Sequence, residues 1–95
     1  ARQGSHGHET VLLVEDEALV RDLAARSLRE YGYTVLEAQD AESALQFIDH
    51  PSLAIVVSDV VMPGRSGDDL FGEVARRRPS LPVLLMTGYS EALLK

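Results

Sequence analysis

A few side chains able to do chemistry stand where apolar runs of this sequence stop. Glu15 and Asp16 follow "TVLLV", Asp59 follows "LAIVVS", and Thr87 follows "LPVLLM". Taken alone, Asp59 reads first as a turn former or helix cap, because Asp bonds readily to nearby backbone amides and Pro63, Gly64 and Gly67 come soon after it. Taken as a set, these residues read differently. Carboxylates and a hydroxyl gathered in one pocket repel each other unless a cation joins them, and an oxygen-only donor set favours Mg²⁺ over Zn²⁺. Magnesium takes few protein oxygens and keeps several waters, which leaves room for a phosphoryl group.

Such a pocket exists only if the elements around it bring the run ends together. "TVLLVED" suits a strand buried on both faces. Between Glu17 and Tyr31 the positions Val20, Leu23, Ala24, Ser27, Leu28 and Tyr31 recur at helical spacing, and Gly32 stands where a helix C-terminus favours glycine. "YTVLEA" reads as a second strand. "DAESALQFIDH" reads as a helix capped by Asp40, with Ala44, Leu45, Phe47 and Ile48 inward and Pro51 ending it. "LAIVVSD" is the most strand-like segment. "GDDLFGEVARRRP" carries Leu70, Phe71, Val74 and Ala75 at helical spacing, and its arginines read as a solvated helix end rather than a nucleic-acid patch. "LPVLLMTG" reads as a fourth strand and "YSEALLK" as the opening of another helix. Strands alternating with helices predict a parallel sheet with right-handed crossovers and helices on both faces. In open sheets of that class, ligands sit beyond the carboxyl ends of the strands, where Glu15, Asp16, Asp59 and Thr87 fall.

The bulk numbers agree with a small α/β domain. The 95 residues are 45% hydrophobic and 25% charged, which is ordinary for a globular chain, and the longest apolar run is far short of a membrane span. A net charge of −6 disfavours direct binding to nucleic acid or to an anionic membrane surface. Without cysteine, thiolate metal sites and cysteine nucleophiles are excluded. Residues 1–9 read as a disordered lead-in, tag or linker, on which His6 and His8 have no preorganised geometry for a metal. His50 reads as a surface helix-end histidine.

Three motifs in order, "VLLVEDE", "SDVVMPGRSG" and "VLLMTGYS", carry a resemblance. From about Thr10 to Tyr89 the chain resembles the receiver domain of two-component response regulators, and the flavour of the later motifs is similar to receivers of hybrid sensor histidine kinases. The resemblance implies a flavodoxin-like doubly wound parallel sheet of strand order 2-1-3-4-5. It also implies a cytoplasmic signalling module rather than a stand-alone metabolic enzyme, one that takes up a phosphoryl group and loses it again. By that resemblance Asp59 is the phosphoacceptor, receiving a phosphoryl group from a phosphohistidine on a histidine kinase or histidine phosphotransfer domain. Mg²⁺ is then held by Glu15, Asp16, Asp59 and the backbone carbonyl of Val61, with Asp16 the direct ligand of the acidic pair and Glu15 acting through water. Thr87 contacts the phosphoryl oxygens after transfer, Gly88 leaves space beside them, and Met62, Pro63, Gly64 and Gly67 shape the loop.

The sequence departs from the family at its end. A fifth strand with a lysine that pairs with the phosphoryl group, and a fifth helix, are expected after the fourth helix, and Lys95 follows Thr87 too soon to be that lysine. Residues 10–95 therefore read as a receiver truncated at its C-terminal side or as a natural receiver-like module that signals without that lysine, in either case with transfer impaired and an open sheet edge that a second copy could cover. Tyr89 is likewise too early to be the family's fifth-strand aromatic. A hydrolase of the haloacid dehalogenase type needs a second Asp where Val61 stands, and a flavin module needs a phosphate loop where "EDEALV" would repel phosphate. The remaining alternative is a receiver-like interaction module that works without phosphorylation.

Overall fold

In the computed structural model, which describes residues 9–58 and 67–85, the Val- and Leu-rich runs are strands and the segments of helical spacing are helices. The order is β1 (Thr10–Val14), α1 (Ala18–Glu30), β2 (Thr34–Ala38), α2 (Ala41–Leu45), β3 (Leu53–Ser58), α3 (Gly67–Arg77) and β4 (Val83–Leu85). Among the described residues the strands form one four-stranded sheet of order β2-β1-β3-β4, and every pairing in it is parallel. This is the order expected for the described part of a flavodoxin-like receiver sheet.

Alternation along the central strands divides the core between two faces. Leu13 and Val35 face Ala24 and Ala25 of α1, with Leu28, Tyr33 and Val57 packed around them. Leu12, Val14 and Val56 face the other way, onto Ala41, Ala44 and Ile48, Val74 of α3, and Leu81. All five residues of β1 are buried, as a strand covered on both faces requires. Burying each of these Leu and Val side chains contributes about 1.5–3 kcal/mol against leaving it in water.

Helix α1 runs to Glu30 and closes in a Schellman arrangement. Gly32, at φ 96°, donates its amide to the Arg29 carbonyl at 3.0 Å, and Tyr33 donates to Leu28 at 3.2 Å. The buried stripe is narrower than the spacing predicts. Val20 and Ala24 are buried as expected and Ala25 joins them, whereas Leu23 is 38% and Tyr31 60% exposed and Ser27 also faces solvent.

The segment after Asp40 departs furthest from expectation. Asp40 does cap α2, its side chain accepting from the Ser43 amide at 2.7 Å. The α-helix, however, covers only Ala41–Leu45, and the chain continues in tight turns whose amides reach back three residues: Phe47 to Ala44 at 2.9 Å, Ile48 to Leu45 at 3.4 Å and His50 to Phe47 at 3.0 Å. Pro51 has no N–H to offer the Phe47 carbonyl, so the His50 amide serves it instead. The arginine run is also more than a solvated end. Arg76 and Arg77 pair with Glu73, and Arg77 lies 3.8 Å from Asp49. Arg78 binds the carbonyls of Ile48 and His50, both at 3.0 Å. Of the inward set expected in α3, Val74 is buried and Ala75 is exposed.

Candidate functional site

Register places the carboxyl ends of three strands in one row. Val14, the last residue of β1, pairs with Ser58, the last of β3, and Ser58 pairs with Leu85, the last of β4. The chain leaves β1 with Glu15 and Asp16, and the residue after Ser58 in sequence is Asp59. Asp59, Val61, Met62, Pro63, Gly64, Thr87, Gly88, Tyr89 and Lys95, like His6 and His8, lie outside the described residues.

The β1–α1 turn is held at several points. The Glu15 amide extends the β1–β2 ladder by donating to the Ala38 carbonyl at 3.0 Å. The Glu15 side chain is almost completely buried, at 1% exposure, and folds back so that Oε2 accepts from the Glu17 amide at 2.9 Å. This bond falls just ahead of α1, where Glu17 makes no side-chain cap of its own. The Glu15 carbonyl oxygen accepts from Nη1 of Arg21 at 2.8 Å. Asp16, between these anchored residues, is half-buried. The two acids thus differ in setting: one is turned into the protein, the other is partly open to solvent.

Arg21 belongs to a network that crosses from α1 to β2. Its Nε lies 3.5 Å from Oε1 of Glu37, whose Oε2 lies 3.0 Å from Nη1 of Arg29, while Nη2 of Arg29 donates to the Val35 carbonyl at 2.9 Å. The sequence reading missed Arg21, Glu37 and Arg29. The available signal was slight, a cation one helical turn after the acidic run of Glu15, Asp16 and Glu17.

Adjacent carboxylates at the end of a buried strand fit a hard cation, since Mg²⁺ is commonly held through one or two carboxylates with water completing its shell. Among the described residues no group of three or more His, Cys, Asp or Glu side chains gathers at one point. His50 is occupied in its own turn, where Nδ1 accepts from the Ser52 amide at 3.1 Å.

Comparison with known proteins decides the family, for the family model described as the response regulator receiver domain matches residues 11–94. The chain belongs to that family. It is 42% identical over 87 residues to sensor kinase CckA of Brucella abortus, an alignment that takes in 90% of this chain and 9% of that protein. Among solved structures, the receiver domain from hybrid histidine kinase CckA is similar at TM-score 0.77 and 41% identity, over 84% of this chain and 76% of that one. Response regulator TrrA of Thermotoga maritima, in complex with Mg²⁺ and BeF, is similar at TM-score 0.80 and 32% identity, over 87% of this chain and 72% of that one. Receiver domains are modules of two-component phosphorelay signalling rather than metabolic enzymes, and they interact with histidine kinases or phosphotransfer proteins. They generally bind Mg²⁺ at the site of phosphorylation. Among the described residues no helix is long and apolar enough to cross a membrane.

Proposed function

We propose that this receiver accepts a phosphoryl group on Asp59, delivered from the phosphohistidine of a histidine kinase or phosphotransfer domain. The observation that carries the proposal is the pairing of Val14 with Ser58, which sets the acidic turn at the end of β1 beside the strand that leads into Asp59. Glu15, Asp16, Asp59 and the Val61 carbonyl would hold Mg²⁺. When bound, that ion supplies the charge compensation that lets a carboxylate approach a phosphoryl group.

The side chains then divide the work. A carboxylate oxygen of Asp59 forms a bond to phosphorus as the donor's P–N bond breaks, and the electron pair of that bond stays with the departing imidazole. Asp16, the half-buried acid, would be the direct ligand of the pair. Glu15, fixed on the Glu17 amide, would act on the ion through water. Thr87 donates its hydroxyl to a phosphoryl oxygen after transfer, which turns a local electrostatic change into a shift of surface. The likeness to the CckA receiver supports a kinase-linked setting for this domain, and TrrA in complex with Mg²⁺ and BeF supports the ion.

The test is intact mass before and after acetyl phosphate, with and without Mg²⁺, beside Asp59→Asn. A gain of one phosphoryl group that needs both Asp59 and Mg²⁺ is the expected result. No gain in folded, Mg²⁺-binding protein that carries the family's fifth strand and its lysine would overturn the proposal in favour of an interaction module independent of phosphorylation.

A further inference from the structure

We infer that Arg21 is a positioning residue for the acidic pair, its guanidinium clamping the Glu15 carbonyl so that the turn presents Asp16 to a divalent cation. The inference rests on the reading of Glu15 and Asp16 as the Mg²⁺-binding acids and adds to it a residue with another role. Arg21 is not a ligand. It acts through the backbone of the residue before the ligand.

The geometry makes this more than a contact between helix and sheet. Only Glu15, Asp16 and Glu17 connect β1 to α1, so the direction of the Asp16 side chain depends on the peptide planes on either side of it. The plane before Asp16 contains the Glu15 carbonyl, and Nη1 of Arg21 holds that oxygen at 2.8 Å. The plane after Asp16 contains the Glu17 amide, held by Oε2 of Glu15 at 2.9 Å. Both planes are therefore pinned, one by a cation and one by the neighbouring acid. A hydrogen bond from a charged donor is stronger than one between neutral groups, and Arg offers several donors in a rigid fork.

The fork is itself oriented. Nε of Arg21 lies 3.5 Å from Glu37 on β2, and Glu37 is held in turn by Arg29 at 3.0 Å. The Arg21 backbone amide also makes the first turn of α1, donating to the Glu17 carbonyl at 2.9 Å. Arg21 thus joins the acidic turn, the start of α1 and the neighbouring strand. A cation at this place also offsets part of the repulsion between adjacent carboxylates before any metal arrives. Residues that orient the ligands of a metal matter to its affinity, their removal commonly costing about 10–100-fold.

The experiment titrates the 95-residue chain with MgCl₂, measuring the dissociation constant by calorimetry and following the Asp16 and Glu17 amide signals by NMR. It compares the wild type with Arg21→Ala, Arg21→Lys, Glu37→Gln and Arg78→Ala. Arg21→Ala is expected to bind Mg²⁺ about tenfold more weakly, with the Asp16 and Glu17 amides shifted already in metal-free protein. Arg21→Lys is expected to recover part of the loss because one charged donor remains. Glu37→Gln keeps the clamp but frees its outer edge, and is expected to weaken binding about threefold, which keeps the inference testable should Arg21→Ala fail to fold. Arg78→Ala lowers stability at the far end of α3 and is expected to leave the Mg²⁺ constant unchanged.

Equal binding by wild type and by folded Arg21→Ala, or by wild type and Glu37→Gln where Arg21→Ala does not fold, would overturn the role of Arg21 and leave the metal reading intact. Equal loss in Arg78→Ala would overturn it as well, as an effect of stability alone. A wild type that binds no Mg²⁺ would overturn the metal reading and this inference with it.

Discussion

Arg78, the residue following α3, holds the carbonyl oxygen of His50 at 3.0 Å from Nη1. The same nitrogen holds the Ile48 carbonyl at 3.0 Å, and Nη2 approaches that of Leu53 at 3.4 Å. One side chain thereby ties the turn that follows α2 to α3 and to the start of β3. Charged hydrogen bonds to backbone each contribute about 1.5–3 kcal/mol, and removing the shared donor exposes the affected carbonyls to partial rescue by water. Arg78→Ala is therefore expected to cost about 2–3 kcal/mol in urea denaturation. Arg78→Lys should recover only part of it, because an ammonium lacks the planar fork. A cost near zero would mean that water replaces the guanidinium without loss.

The cap of α2 makes a prediction about acid. The Ser43 amide, donating to the Asp40 carboxylate at 2.7 Å, holds the Asp40 carboxyl below its ordinary value of 3.8. The folded chain thus stabilises the charged form more than the unfolded chain does. This contribution is fully present above pH 3.8 and is lost as the pH falls through the lower folded value. Asp40→Asn keeps an acceptor oxygen at the cap but does not titrate. Unfolding midpoints of wild type and variant, compared from pH 7 to pH 2.5, should show the wild type losing more stability below about pH 4. Parallel profiles would show that the carboxylate is not bonded in solution as it is in the structure.

These two sites also mark where the sequence was readable. Asp40 was legible because a cap depends on residues within three positions of it, and so was the end of α1, where Gly32 supplies a backbone conformation other residues adopt at a cost. Strands β1 and β3 were legible because an unbroken apolar run of that length suits a strand covered on both faces. The early end of α2 was less so, since the carbonyls freed after Leu45 include those of Ile48 and His50, whose partner Arg78 lies 30 and 28 residues further on. Spacing also marks the direction of a helix face better than its width: it points to Leu23 and Tyr31 as inward, whereas Ala25 is buried and those two are exposed. At the site, the position of Glu15 and Asp16 at a strand end was readable from residue type alone. Arg21 was not, because its partner is a backbone carbonyl, and a carbonyl leaves no mark on the sequence.

Helix α3 contains a place where stability can be gained. Gly72 lies within Gly67–Arg77 on the exposed side, and a Cβ added there would meet nothing within 4 Å. Ala restricts the unfolded chain more than Gly does and is the better helix former. Gly72→Ala is expected to raise stability by about 0.5–1 kcal/mol, seen as a higher urea midpoint with an unchanged slope. A lower midpoint would mean that the surface of α3 is covered at Gly72 in solution.

Glu15 offers the sharpest separation of fold from function. Its carboxylate is buried at 1% exposure and accepts the Glu17 amide through Oε2, so replacing it by Ala would leave that amide without its partner and disturb the turn. Glu15→Gln keeps an oxygen acceptor of the same reach and removes the negative charge, replacing the second oxygen with an NH₂ donor. Desolvating an amide costs less than desolvating a carboxylate, so the metal-free variant is expected to be as stable as the wild type or more stable. Mg²⁺ reverses the ranking. A ligand that binds only the folded state raises stability according to its concentration over its dissociation constant. The wild type should therefore gain more in Tm than Glu15→Gln as MgCl₂ is added, and the difference should correspond to an affinity about 10–100-fold weaker in the variant. If both proteins gain equally, the charge of Glu15 plays no part in holding the ion. The buried carboxylate would then serve the start of α1 through the Glu17 amide rather than the ion.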